Sequence, residues 1–179
     1  MTASPNEHPA MIAPSPWVVC HLPLVAVGGR VLDLACGRGR HARLLAAAGY
    51  EVVAVDRDFA AISSLQEVAG ITALRFDLEG GDWPLAGERF AGVIVTNYLW
   101  RPRLPDVCAL LDSGGVLIYE TFMVGNEVYG KPSTPDFLLR HGELRAVARA
   151  AGLREIAVAE GYTDSPKPGM RQAICAVRE

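Results

Sequence analysis

Three carboxylates stand at the ends of short apolar runs, and a glycine pair follows the first. Residues 31–39 read V-L-D-L-A-C-G-R-G, so Asp33 lies in the run while Gly37 and Gly39 flank Arg38. Residues 52–56 read V-V-A-V-D and residues 76–78 read F-D-L. Glycines between a strand and a helix let the backbone come close to a nucleotide-like ligand and present it with a helix N-terminus. Asp56 follows at the spacing, about 20 residues, at which an acid reaches the ribose hydroxyls of an adenosine cofactor. Asp77, at the end of a third run, is placed to meet an adenine amino group. Two such cofactors fit the turn. Gly37-Arg38-Gly39-Arg40-His41-Ala42 satisfies G-x-G-x-x-G/A, a weak signal of a nicotinamide dinucleotide site. Asp33 argues for the other kind. A carboxylate has no obvious use beside a pyrophosphate, whereas a ligand bearing an ammonium and a sulfonium is attracted to it.

The elements that must hold these residues follow from the hydrophobic pattern. Strands are expected at 30–35, 51–55, 72–76, 92–96, 115–121, 153–159 and 171–177, with helices at 40–48, 59–68, 104–111 and 142–151. Continuous apolar runs such as V-I-V at 93–95 and V-L-I-Y at 116–119 are typical of parallel strands buried on both faces. Strand–helix alternation of this kind gives a layered α/β fold with right-handed crossovers. No helical pattern separates the last two strands, and D-S-P-K-P-G between them has turn composition, so the final strand is expected to run antiparallel. The 179 residues suit one domain, 17–179, preceded by a flexible, proline-rich tail over 1–16. Residues 17–29 are a candidate lid helix. Residues 123–141, an unusually long connection leaving a central strand, are a candidate substrate loop.

These motifs resemble the class I S-adenosylmethionine-dependent methyltransferases over most of residues 30–178. The resemblance implies a Rossmann-like α/β fold: seven mostly parallel strands in the order 3-2-1-4-5-7-6, the last strand antiparallel, and helices on both faces. It implies S-adenosylmethionine as cofactor. By position, Asp33 resembles the acid that anchors the methionine end, and Gly37 and Gly39 the close-approach glycines. The family's first glycine is here Ala35. Asp56 resembles the ribose acid, with Arg57 beside it over the adenine, Asp77 and Leu78 the adenine contacts, and Asn97 the residue under the methionine moiety. Residues 137–144, with Arg140 and His141 ahead of a helix, and the short chain are similar to the small bacterial tellurite-resistance methyltransferases.

Methyl transfer from a sulfonium is an in-line displacement that depends on alignment, so no obligatory catalytic residue is legible. Tyr98, Glu120 and Arg140 are the candidates. Trp17, Tyr98, Arg101, Glu120, Phe122, Arg140 and His141 are candidate contacts of a small molecule or metalloid oxyanion, with Glu120 either a substrate contact or the partner of a nearby arginine. The net charge of −3 disfavours broad electrostatic binding of nucleic acid or anionic membrane. An RNA or protein methyltransferase would need a basic surface built from Arg38, Arg40, Arg43, Arg101 and Arg103. The four scattered cysteines show no metal or redox spacing, as expected of reduced thiols in a cytoplasmic protein.

Overall fold

The computed structural model describes residues 12–165 and 167–179. Its elements are α1 (Pro16–His21), β1 (Arg30–Leu34), α2 (Arg40–Ala47), β2 (Glu51–Asp56), α3 (Phe59–Ser63) and β3 (Ile71–Arg75), then β4 (Phe90–Thr96), α4 (Leu104–Ala109), β5 (Leu111–Phe122), α5 (Glu143–Ala150), β6 (Leu153–Thr163) and β7 (Gly169–Arg178). The seven strands form one sheet in the order β3-β2-β1-β4-β5-β7-β6. β1 to β5 pair in parallel, and β7 runs antiparallel to both β5 and β6. Fold class and strand order are those expected.

Two apolar layers sandwich the sheet. One packs Leu32, Leu34, Val93, Val95, Leu117 and Ile174 against α4 and α5; the other packs Val31, Val52, Ile94, Ile118 and Cys175 against α1 and α2. Successive strand residues feed opposite layers, which is why the central strands read as continuous apolar runs.

The described part of the N-terminal region packs onto the core. Ser15 is 1% exposed and caps α1 by accepting from Trp17 N, so the ordered fold begins within the segment expected to be a tail. Residues 1–11 of that tail lie outside the described residues. Within the candidate lid, residues 17–29, Val18 and Val25 are buried, and Val25 packs against Gly92 of β4, so the segment covers one face of the core. α3 also ends five residues early. The Ser64 hydroxyl donates to Ala61 O, competing with the helix, and the chain turns so that Leu65 reaches the core. The long connection is clamped at its root. Leu139 N donates to Phe122 O and Val124 N to Leu139 O, with Met123 and Leu139 fully buried.

Candidate functional site

The ends of β1 and β2 and the loops that follow them form a compact, mutually bonded unit. Asp33 is 1% exposed, and its Oδ2 accepts from Ala42 N in the first turns of α2 at 2.8 Å. Burial pushes its pKa up to about 7, against the pull of the Ala42 N–H and of Arg40. Asp56 holds the turn from the other side. Its Oδ2 accepts from Gly37 N at 2.8 Å and its Oδ1 from Asp58 N at 2.9 Å. The carboxylate thus sets the glycine loop in addition to facing the cleft.

The two glycines differ. Gly37 has φ +54°, and a Cβ there would meet open space, so the loop offers bare backbone at that point. At Gly39, φ is +74° and a Cβ would lie 2.5 Å from Leu65 Cδ2, so both the left-handed backbone and the packing of buried Leu65, in the turn after α3, favour glycine. Ala35 adopts φ +54°, a left-handed conformation that ordinarily selects glycine.

A cavity of about 120 Å³ opens beside this loop, lined by Ala35, Asp56, Arg57, Phe76, Asp77, Leu78, Glu79 and Tyr98. Arg57 lies 3.5 Å from Glu79 at its mouth, Leu78 is buried, and Asp77 Oδ1 accepts from Glu79 N. The structure therefore brings Ala35, Asp56, Arg57, Asp77 and Leu78 to one cavity, with Gly37 adjoining through its bond to Asp56. It also adds Tyr98, whose buried hydroxyl has no partner among the described residues. Burial, with Glu79 and Asp77 nearby, raises that phenol's pKa and keeps it a neutral donor.

A second, wider cavity of about 250 Å³ lies at the far side of the cleft. Pro16, Trp17, Glu120, Ala173 and Arg171 line it together with residues 159–163 and Ser165 of the β6–β7 hairpin. Glu120 is 6% exposed; it accepts from the Ser15 hydroxyl and lies 3.8 Å from Arg171 Nη1. Of the two roles expected for Glu120, that of arginine partner is present. Arg171 Nη1 donates to Asn97 Oδ1 at 2.8 Å, and its guanidinium lies 4.1 Å from the centroid of the Phe122 ring. Asn97, at φ +55°, thereby links the end of β4 to the second cavity. Ser15 joins the two sides as well, since its N–H donates to His41 Nε2 in α2. The His41 pKa is lowered to about 3, mainly by burial and further by Arg40. The neutral ring accepts at Nε2, so Nδ1 carries the proton and faces Thr96 Oγ1.

Other expected contacts are held elsewhere. Arg101 bonds Glu143 through Nε and Nη2 and the carbonyls of Asp136 and Leu138 through Nη1 and Nη2, stapling the long connection to the end of β4. Arg140 and His141 are exposed and line neither cavity; His141 Nδ1 lies 2.6 Å from Glu160 Oε1.

Sequence reasoning passed over Arg171 and Gln172. Gln172 is 1% exposed, accepts from Leu144 N and donates to Arg140 O and Glu160 Oε2, fixing the start of α5. The available signal was two adjacent polar residues inside an otherwise apolar strand, one for each face of the sheet.

Comparison with known proteins agrees with the fold. Residues 31–115 match the family model described as a methyltransferase domain. Among curated proteins, hemagglutinin 1 of Eikenella corrodens is 32% identical over 85 residues, which is 45% of this chain and 28% of that protein. The structure of TehB from Haemophilus influenzae superposes with a TM-score of 0.72 at 20% identity, covering 90% of this chain and 61% of TehB. This chain thus spans less than two thirds of either protein. A TehB-like SAM-dependent methyltransferase from Corynebacterium glutamicum gives 0.67 at 17% identity, covering 91% of this chain and 87% of that one. Magnesium protoporphyrin IX methyltransferase from Synechocystis, solved with bound SAH, gives 0.66 at 21% identity, covering 91% and 78%.

Proposed function

We propose that this chain, a member of the class I S-adenosylmethionine-dependent methyltransferase family by its domain and its fold, methylates a small molecule or a metalloid oxyanion. The observation that carries the cofactor side is the 120 Å³ cavity with Asp56, Arg57, Asp77 and Leu78 in its walls beside the bare backbone of Gly37. The cavity fits the cofactor on two counts. A Cβ at Gly37 would stand in open space, and the Tyr98 hydroxyl is a buried donor still without a partner among the described residues.

When bound, S-adenosylmethionine supplies a methyl group already activated on a positively charged sulfur. The chain's own residues supply binding and alignment. Asp56 faces the ribose hydroxyls while holding the loop through Gly37 N. Asp77 and the Leu78 backbone would contact the adenine, with Arg57 beside them in the same cavity. Asp33, beneath the loop, provides the negative charge that a cationic methionine end requires. Asn97, held by Arg171, would be the residue under the methionine moiety. Alignment of this kind is worth roughly 7–11 kcal/mol in favourable intramolecular reactions, which suits a reaction whose donor needs no further activation.

The acceptor side supports a small substrate. Five arginines were required for a basic nucleic-acid surface, and the structure engages four of them within the protein. Arg40 donates to Ala13 O, Arg43 to Ser64 O, Arg101 pairs with Glu143 and Arg103 with Asp106. No helix among the described residues is long and apolar enough to cross a membrane.

Calorimetric titration with S-adenosylmethionine, its demethylated product and NADH tests the cofactor assignment. Binding of the first two alone is the expected result. Binding of NADH alone would reassign the glycine turn to a pyrophosphate.

A further inference from the structure

Building on the methyl-transfer reading, we propose that Arg171 is the acceptor's anchor: its Nε–Nη2 edge binds two oxygens of an oxyanion, a carboxylate or an inorganic oxyanion, in the 250 Å³ cavity. Arg171 is 5% exposed and lines that cavity. Its guanidinium is fixed on two sides. Nη1 donates to Asn97 Oδ1 at 2.8 Å, and the Phe122 ring lies 4.1 Å from the guanidinium carbon. The remaining edge is unused. Nε and Nη2 are both buried, and neither has a hydrogen-bond partner among the described residues. Glu120 Oε1, at 3.8 Å from Nη1, balances charge without hydrogen-bonding that edge.

Nε and Nη2 carry two parallel N–H groups whose spacing matches the two oxygens of a carboxylate. Buried donors without partners are costly, so an edge left unpaired in this way calls for an acceptor, which the cavity that Arg171 lines can deliver. The cavity suits a compact guest. Ala159, Gly161 and Ala173 leave room beside the guanidinium, and Trp17 provides an aromatic wall. The position is the productive one as well. The Asn97–Arg171 bond ties the anchor to the residue placed under the methionine moiety, so an oxyanion held at Arg171 directs the rest of the acceptor toward the donor.

The test uses the full chain saturated with S-adenosylhomocysteine, each variant's saturation being set by its own titration. Benzoate, acetate and selenite are then titrated calorimetrically against benzamide, the uncharged shape-match of benzoate. Binding of at least one anion with no binding of benzamide is expected. A carboxylate-only response identifies an organic acid as acceptor class, and a selenite-only response an inorganic oxyanion. In Arg171→Lys, which keeps the charge and loses the two-pronged edge, anion affinity should fall at least tenfold. Should that variant misfold, Ala173→Leu narrows the cavity without touching the guanidinium and must weaken the same anion. Equal binding of benzamide and benzoate, no anion binding, or undiminished anion affinity in the folded variants would overturn the proposal. Failure of the wild type to bind S-adenosylhomocysteine would instead overturn the methyl-transfer reading.

Discussion

The two halves of the cleft are built on different principles. The donor half is local: Asp33 meets Ala42 across nine residues, joining β1 to the helix it feeds, and Asp56 meets Gly37 across 19, joining the end of β2 to the turn that the neighbouring β1 feeds. The acceptor half is assembled from afar. Ser15 meets Glu120 across 105 residues, Arg171 meets Asn97 across 74, and Trp17 meets Ile174 across 157. A parallel sheet explains the contrast. Each βα turn places its own short motif at the C-terminal edge of the sheet, so a ligand bound by successive turns is encoded by successive motifs. The opposite side receives α1 and an antiparallel hairpin, whose register depends on the finished fold.

The largest expected effect tests the donor half through pH. The folded pKa of Asp33, about 7, lies above its ordinary value of 3.8. The folded state therefore holds a proton that the unfolded state has released between about pH 4 and 7, and stability falls as pH rises across that window. The full shift corresponds to about 4 kcal/mol. Cofactor affinity should move the opposite way, because a cationic ligand needs the ionised carboxylate. S-adenosylmethionine binding should weaken up to tenfold per unit as pH falls below 7. Asp33→Asn should flatten both profiles while keeping an oxygen for Ala42 N. Urea unfolding and calorimetry across pH 5–8 measure both, and a flat wild-type binding profile would free Asp33 from any contact with the cofactor.

Asp56→Ala comes next. It removes two backbone hydrogen bonds from the glycine loop together with the proposed ribose contact. Cofactor binding should weaken by about 1–3 kcal/mol, the usual cost of losing hydrogen bonds to a charged group. Unchanged affinity would leave the acid a purely structural brace.

Arg101→Met carries the comparison to the other half. It releases two carbonyls and Glu143 while leaving the donor cavity untouched. A stability loss of about 1–2 kcal/mol is expected. Hydrogen exchange should rise in residues 136–143, with S-adenosylhomocysteine affinity intact. Weakened cofactor binding would show that the two halves are coupled.

This division also explains what the sequence made legible. The strand–helix alternation and the acids Asp56 and Asp77 follow from local patterns of apolar runs ending in carboxylates, whereas the strand order and the parts given to Arg57 and Leu78 come only with the family resemblance that those motifs carry. Arg101 was read as a substrate contact because a basic residue after a strand looks available; its partners, residues 136–143, are distant in sequence. Arg171 and Gln172 were missed for the converse reason. Inside a strand they resemble lapses in an apolar run, and only the pairing of β7 with β5 and the packing of α5 reveal what each one holds.

The smallest effect concerns Ala35, where the sequence departs from the glycine of the family it resembles. At φ +54° an alanine carries about 1–2 kcal/mol of left-handed strain, which Ala35→Gly relieves. Two terms oppose that gain. A glycine loses about 0.4–1 kcal/mol more backbone freedom on folding, and the Ala35 methyl packs against the core layer formed by Leu32, Leu34 and Val95, where a methyl is worth up to about 0.8 kcal/mol. The terms nearly cancel, so the melting temperature should change by no more than about 2 °C in a domain of this size. A larger rise would mean that strain is retained at the donor turn for the sake of the ligand, and cofactor affinity should then fall in the relaxed variant. A larger drop would mean that the methyl is a packing element, and affinity should follow stability only through loss of folded protein.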